Sequence, residues 1–226
     1  MSHSSHHATL PTPLTRKLSP MDNFISKVDS VVRTLSANSV YATRPSPAKD
    51  EVEPHLSEQE RRHTAGLMRI NHTGEVCAQA LYQGQATTAK LKHVEEMMQQ
   101  AALEEVDHLA WCEDRLKELN SRTSHLNPIW YTLSFGLGAA AGWAGDEWSL
   151  GFVVETERQV CRHLDNHLKQ LPPSDRKSKK ILQQMRQDEA EHAQTASRAG
   201  GRELPAPLRY GMTLMSKVMT ATTYRI

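Results

Sequence analysis

The chain has 226 residues, a formal net charge of +1 and an aromatic content of 5%. This length suits one large domain with a real hydrophobic core. The small net charge gives no reason to expect nucleic acid or a strongly acidic partner. Cys77, Cys112 and Cys161 are odd in number and far apart, so they are expected to be small buried apolar residues and not a disulfide framework.

The N-terminal quarter is predicted to stand apart from the main domain. Residues 1–20 are expected to be a flexible tail, because they are rich in Ser, Thr and His and lack the apolar core of a signal peptide. A short amphipathic helix is predicted from Asp22 to Leu35, followed by a Pro- and Ser-rich linker from about Ser36 to Pro54. We therefore divide the chain into residues 1–54 and a helical domain, residues 55–226. The tail carries three histidines that offer at most an adventitious metal site: His3, His6 and His7.

Four long helices are predicted in the helical domain, and the scarcity of alternating, turn-rich stretches favours an all-α fold. Their expected bounds are Ser57 to about Lys90, about Val94 to Asn120, about Asp146 to Gln170, and Ser174 to Gly200, with Ser57 and Ser174 as N-caps. Short turns join the helices within each half, whereas fifty-two residue steps separate Glu105 from Glu157. Such a long crossover is typical of a ferritin-like four-helix bundle, here with additional amphipathic helices before and after it.

One ligand pattern occurs twice in these helices. Each copy is a Glu on one helix and a Glu-x-x-His on the next, and the residues in order are Glu75, Glu105 and His108, then Glu157, Glu189 and His192. Residues three apart share a helix face, so this Glu and His can bind one ion together. About thirty residues are enough for one long helix and a turn, so the second helix of each pair runs antiparallel to the first. Four carboxylates and two imidazoles form the ligand set of a carboxylate-bridged di-iron or di-manganese centre.

Helical periodicity selects these acids over their neighbours. Glu157 falls on an apolar stripe, whereas Glu155 shares its face with polar side chains. Glu105 likewise lies on its stripe, whereas Glu104 lies at the edge and Glu191 falls outside. A single inward Glu is ordinarily a salt-bridged core residue, but four inward carboxylates without Lys or Arg on the same faces need compensating cations. Two divalent metal ions are therefore predicted.

The stretch from Arg69 to Glu75 reads Arg-Ile-Asn-His-Thr-Gly-Glu and resembles the Arg-x-(Asn/Asp)-His-x-Gly-Glu signature of the demethoxyubiquinone hydroxylases. The resemblance covers about three-quarters of the chain, from residue 57 onward, with further matches at Glu105 to His108, residues 136–145, Glu157, and Asp188 to His192. All six ligands of that family have a counterpart in the doubled pattern.

The resemblance implies a membrane-associated di-iron mono-oxygenase of ubiquinone biosynthesis. Two iron ions per chain are expected, with dioxygen as co-substrate and NADH or the quinol itself as reductant; no dinucleotide-binding fingerprint indicates a resident NAD domain. One oxygen atom would enter the quinol ring of a demethoxy precursor, and the other would leave as water. His72, Tyr82 and His163 are candidates for residues that support the ligands. Expected partners are a polyprenyl quinol, a membrane surface and other ubiquinone-biosynthesis proteins.

Two segments are candidates for contact with the bilayer in which such a quinol resides. Ile129 to Gly145 is uncharged over seventeen residues, which favours an interfacial helix, with a crossover helix packed on the bundle as the alternative. The last helix, after Pro205 and Pro207, has an apolar face suited to lipid, to a partner protein or to bundle packing, formed by Leu208, Met212, Met215, Val218 and Met219. We expect both segments to form a channel mouth.

The expected location is the cytoplasmic side of a bacterial inner membrane. The mitochondrial matrix side fits less well, because the tail has only Arg16 and Lys17 as basic residues. The main alternative function is a ferritin-like ferroxidase or iron-storage protein, which has the same ligands but no need for the Gly- and Trp-rich crossover. An acyl desaturase, a radical-generating reductase subunit and a lipid-binding bundle without metal are further alternatives.

Overall fold

The computed structural model describes residues 19–36, 39–52 and 55–226. Within these ranges the chain forms helices and no strands, so the predicted all-α class is confirmed. The helices are α1 (Pro20–Leu35), α2 (Glu58–Thr88), α3 (Lys92–Glu118), α4 (Asn127–Ala144), α5 (Asp146–Gln170), α6 (Arg176–Arg198) and α7 (Ala206–Thr223). The tail histidines His3, His6 and His7 and the predicted end of the linker at Pro54 lie outside the described residues.

Helices α2, α3, α5 and α6 form the bundle, in which α2 pairs with α3 and α5 pairs with α6. All four contribute to an apolar cluster at one end, which includes Met68, Leu116, Leu164 and Met185. All four also contribute to a second cluster towards the other end, formed by Tyr82, Met98, Val153 and Ala196 together with their neighbours. The middle of each helix, between the two clusters, is left for polar side chains.

The crossover helix α4 packs closely against α2 because both helices carry glycines at the crossing. A Cβ on Gly138 would overlap the carbonyl of Leu81, and a Cβ on Gly84 would overlap the carbonyl of Phe135. The uncharged stretch therefore buries one face on the bundle, as the crossover alternative predicts. Its other face remains exposed and includes Leu133 and Trp143.

Two predicted helix boundaries need correction. Asp175, and not Ser174, caps α6, because the Asp175 carboxylate accepts a hydrogen bond from the Ser178 backbone N–H at 3.0 Å. Helix α7 begins at Ala206, so Pro207 lies inside its first turn, where a missing N–H costs nothing. At the start of α2 the predicted N-cap Ser57 is confirmed, and it forms a capping box with Glu60.

Residues 39–52, which we call the strap, run from α1 across the outside of the bundle. The backbone N–H of Thr43 donates to Asp107 Oδ1 of α3 at 2.6 Å. Before the strap, Val31 and Leu35 of α1 pack against a buried cluster that includes Leu109 of α3. The segment that the sequence treats as a linker is therefore fastened to the bundle.

Candidate metal centre

The structure brings the six predicted ligand residues together between the two apolar clusters. They come from the middle of α2, α3, α5 and α6 and are Glu75, Glu105, His108, Glu157, Glu189 and His192. Five of them are at most 3% exposed, and the His192 side chain is 12% exposed. All six side chains therefore point into the bundle.

Glu105 and Glu189 lie between the two histidines, and each carboxylate presents one oxygen to each ring. From His108 Nδ1, the distances are 3.0 Å to Glu105 Oε2 and 3.1 Å to Glu189 Oε1. From His192 Nδ1, they are 3.2 Å to Glu105 Oε1 and 3.1 Å to Glu189 Oε2. This is the arrangement that two bridging carboxylates need in a two-metal site.

Glu75 and Glu157 lie on opposite sides of this central group. Glu75 Oε2 is 3.7 Å from His108 Nδ1, and Glu75, Glu105, His108 and Glu189 offer ligand atoms that all lie within 4.8 Å of one another. On the other side, Glu157 Oε1 accepts a hydrogen bond from a tyrosine, whereas its buried Oε2 has no hydrogen-bond partner among the described residues. A buried carboxylate oxygen without a partner is costly unless a cation lies beside it.

The electrostatics of the group favour added positive charge. Burial raises the pKa of Glu75 and Glu157 well above the usual carboxyl value, and neighbouring carboxylates raise it further. Burial alone would lower the pKa of His192, but Glu105 and Glu189 raise it to about 12. The oxygen and nitrogen donors also match the ligands that iron accepts. The cluster is thus compatible with a di-iron site.

One buried cation does lie on a ligand-bearing helix, contrary to the sequence expectation. Arg115 is two turns after His108 on α3 and is buried. Its guanidinium donates to Asp175 at 3.1 Å and to Ser178 at 2.9 Å, in the turn before α6 and its first residues. Arg115 therefore contacts Asp175 and Ser178 at the end of the bundle.

Each histidine also contacts a second acid through its outer nitrogen. His108 Nε2 lies 2.9 Å from Asp188 Oδ2, and His192 Nε2 lies 2.8 Å from Glu104 Oε2. A proton on Nε2, donated to the acid, leaves the Nδ1 lone pair directed at the centre. Neither acid was predicted from the sequence to have this role. The available signal was an acid directly before each Glu of the repeat, Glu104-Glu105 and Asp188-Glu189.

Most residues of the stretch that precedes Glu75 orient α2 and do not enter the centre. Arg69 donates to the carbonyls of Arg122 at 2.9 Å and Tyr224 at 2.7 Å, and Asn71 Oδ1 lies 2.9 Å from His167 Nδ1. These contacts fix the rotation of α2 against its neighbours, and so determine that Glu75 points inward.

The three candidate supporting residues have different surroundings. Tyr82 donates its phenolic hydrogen bond to Glu157 and so contacts a predicted ligand. His72 is buried beside Asn127 of α4, and burial lowers its pKa to about 3. His163 stacks edge-on against His167, with ring centroids 3.9 Å apart, and its Nε2 has no hydrogen-bond partner among the described residues.

Two cavities reach the central group from different sides. An apolar cavity of about 330 Å³ lies between α4, α7 and the bundle and reaches Glu75. A more polar one of about 440 Å³ reaches His192 and is lined by Glu104, Asp188 and Glu191. None of the helices in the described ranges has the length and apolar composition needed to cross a membrane.

Comparison with known proteins places this arrangement in a family. A family model described as Ubiquinone biosynthesis protein COQ7 matches residues 62–223. The chain belongs to this family. A protein of Stutzerimonas stutzeri named 3-demethoxyubiquinol 3-hydroxylase is 60% identical, over 95% of this chain and 100% of its own length. One of Azotobacter vinelandii with the same name is 62% identical, over 93% of this chain and 98% of its own length.

A solved structure shares the fold of this COQ7-family chain. The bacterioferritin-related protein of Bacteroides fragilis, a dodecameric thioferritin, superimposes with a TM-score of 0.52 at 17% identity. The match covers 63% of this chain and 85% of that one. The ferritin-like bundle predicted from the crossover is therefore confirmed. The COQ7 family model begins at residue 62, so α1 and the strap lie outside it.

Proposed function

We propose that this chain is a di-iron mono-oxygenase that hydroxylates the ring of a demethoxy-ubiquinol, as the names of its relatives indicate for those proteins. The observation that carries the proposal is the pair of carboxylates, Glu105 and Glu189, each facing both histidines inside the bundle. A ferritin-like storage protein would have similar ligands, but it has no need for the apolar cavity beside Glu75.

The residues allow two metal positions. Glu75 and His108 would bind one iron ion, and Glu157 and His192 would bind the other, with Glu105 and Glu189 shared between them. Bound iron would supply the redox chemistry that activates dioxygen. Overall, dioxygen, two electrons from NADH or a quinol and two protons would convert one ring C–H into C–OH, and the second oxygen atom would leave as water.

The protein's own contribution is shielding and proton control. The apolar clusters on both sides of the centre exclude water from the two ends of the bundle, which limits side reactions of reactive species. The outer acids Asp188 and Glu104 hold the two imidazoles in the tautomer with a free Nδ1. Burial raises the pKa of Tyr82 well above its usual value, so its phenol stays protonated and remains a donor to Glu157.

The apolar cavity is the proposed route for the quinol. Leu137 of α4 and Met215 of α7 lie at its wall, and both are exposed, so the cavity opens between these helices. Four buried polar atoms in its lining residues have no hydrogen-bond partner among the described residues: Asn71 Nδ2, Trp130 Nε1, Thr156 Oγ1 and His163 Nε2. A quinol ring with hydroxyl and methoxy oxygens matches this mixture of apolar wall and a few polar atoms.

Access for a lipid-soluble quinol requires contact with a bilayer. We propose that the exposed apolar faces of α4 and α7 bind the surface of a bacterial inner membrane from the cytoplasmic side. The support is the position of these faces on either side of the cavity opening.

A quinone-profile rescue tests the function. In a bacterial host that lacks its own hydroxylase, the chain should clear accumulated demethoxyquinone and restore ubiquinone. Glu189→Ala should abolish the rescue, because it removes a shared ligand, whereas Gln187→Ala should not, because Gln187 is exposed on the same helix. If the unaltered chain leaves the demethoxyquinone in place, the hydroxylase proposal is wrong.

A further inference from the structure

The strap places one cation beside the outer part of the centre. Arg44 Nη1 lies 2.9 Å from Asp188 Oδ2 of α6, and Arg44 Nε lies 2.6 Å from Asp107 Oδ2 of α3. The guanidinium also lies over the Trp111 ring, 4.9 Å from its centroid, and Trp111 Nε1 donates to the Arg44 carbonyl at 3.3 Å. Contacts with two carboxylates and an indole hold the guanidinium in one place.

Asp188 connects this cation to a predicted ligand. The same oxygen, Oδ2, accepts from the Arg44 guanidinium and from His108 Nε2, the latter at 2.9 Å. Its other oxygen accepts from Gln184 Nε2 at 2.8 Å. The Asp188 side chain is only 14% exposed, so solvent screens these charges weakly. Arg44, Asp188 and His108 therefore form one continuous chain of polar contacts.

The other half of the centre has no such cation. His192 Nε2 is paired with Glu104, whose side chain is 44% exposed. Glu104 Oε1 accepts from the neutral amide of Gln100 at 2.9 Å, and within the described ranges no Lys or Arg forms an ion pair with Glu104. The two halves of the centre have the same types of predicted ligand. The acid that contacts His108 is more buried than the acid that contacts His192, and it is paired with an arginine.

We propose that Arg44 is a positioning residue for the metal centre, which holds Asp188 against His108 and makes the two metal positions unequal. The proposal rests on the metal centre proposed above. The strap lies outside the residues that the COQ7 family model matches, whereas the metal centre lies within them. The proposal therefore gives the strap a role in supporting the metal centre. The alternative is that Arg44 only fastens the strap to the bundle.

Cobalt(II) titration of the metal-depleted full-length chain, followed by visible absorption, separates these roles. The unaltered chain should bind two equivalents. Arg44→Gln should weaken one equivalent about tenfold, the low end of the range for residues that orient metal ligands, and should leave the other unchanged. Arg44→Lys should recover part of the loss, because an ammonium can still pair with Asp188 but lacks the planar fork.

Two further variants test the path of the effect. Thr43→Val removes a side-chain hydrogen bond that fastens the strap to Asp107 and keeps every Arg44 contact, so it should lower the melting temperature yet leave both cobalt equivalents unchanged. In an Asp188→Asn background, Arg44→Gln should cause no further loss, because both changes interrupt one path.

The proposal is overturned if Arg44→Gln binds both cobalt equivalents as the unaltered chain does, or if Thr43→Val weakens cobalt binding equally. Circular dichroism would show that each variant is folded. Failure of the unaltered chain to bind two equivalents is a different result, since it would reject the metal centre itself.

Discussion

The phenol of Tyr82 on α2 donates a hydrogen bond to Glu157 on α5, inside the cluster of carboxylates. The contact crosses the bundle between helices that belong to different hairpins. It occupies one oxygen of Glu157 and leaves the buried Oε2 without a hydrogen-bond partner among the described residues. Tyr82 thus determines which oxygen of Glu157 is available as a ligand.

We expect Tyr82→Phe to weaken metal binding at the Glu157 and His192 position about tenfold, because an unpaired carboxylate oxygen can rotate away. Metal titration of the depleted protein measures this effect. Tyr131→Phe is the matched control, since the Tyr131 phenol donates to Gln83 outside the centre. Equal losses in the two variants would show that the effect is general destabilisation.

The close approach of α4 to α2 predicts opposite effects for two glycines that are two residues apart and lie on opposite faces of α4. Gly138→Ala should destabilise the fold by about 1–3 kcal/mol, because the new methyl overlaps the carbonyl of Leu81. Gly136→Ala should be neutral or stabilise the fold by up to about 1 kcal/mol, because its Cβ meets no atom and Ala favours a helix. Thermal unfolding compares them, and a loss at both positions would argue against the packing described.

Acid should destabilise the chain partly through His167. This residue is 3% exposed, its Nδ1 lies 2.9 Å from Asn71 Oδ1, and burial lowers its pKa to about 3. An unfolded His has a pKa of about 6.5, so between these values the unfolded chain binds a proton that the folded chain does not. The contribution of the neutral ring is complete above pH 6.5 or so and is lost as the pH falls towards 3.

Between pH 7 and pH 5 this residue should account for a loss of about 2 kcal/mol in the free energy of unfolding. Urea denaturation at both pH values should therefore show a smaller decrease for His167→Gln than for the unaltered chain. His125→Gln, at an exposed position, serves as the control. An unchanged decrease in His167→Gln would mean that the ring is protonated in the folded state.

Membrane binding should depend on α4 and α7. Trp143 is 79% exposed and Met215 is 41% exposed, and changing both to Asp should prevent flotation with vesicles of phosphatidylglycerol and phosphatidylethanolamine. Leu103→Asp is the control, because Leu103 is 64% exposed on α3 and does not line the apolar cavity. If the unaltered chain stays with the soluble fraction, the proposed membrane contact is wrong.

Local rules account for what could be predicted from the sequence. The i, i+3 spacing places the Glu and His of each Glu-x-x-His on the same face of one helix, because an α-helix has a fixed pitch. A short turn after about thirty residues makes the next helix run antiparallel, so the ligand-bearing faces of the two helices lie side by side. The placement of Glu105 and Glu157 inside the bundle follows from these rules. The cap of α6 was mispredicted, since Ser174 and Asp175 are both good caps and only the pairing of Asp175 with Arg115 decides between them.

The sequence by itself therefore determined the helices, their inward faces and the doubled ligand pattern. Only the tertiary structure decided which acid supports which histidine, since His108 pairs with Asp188 eighty residues away and Arg44 arrives from a segment that reads as a linker. Helical periodicity predicts which side of a helix is buried, but it does not predict which side chain of another helix or of the strap will contact that side. That choice depends on how the helices and the strap pack in three dimensions.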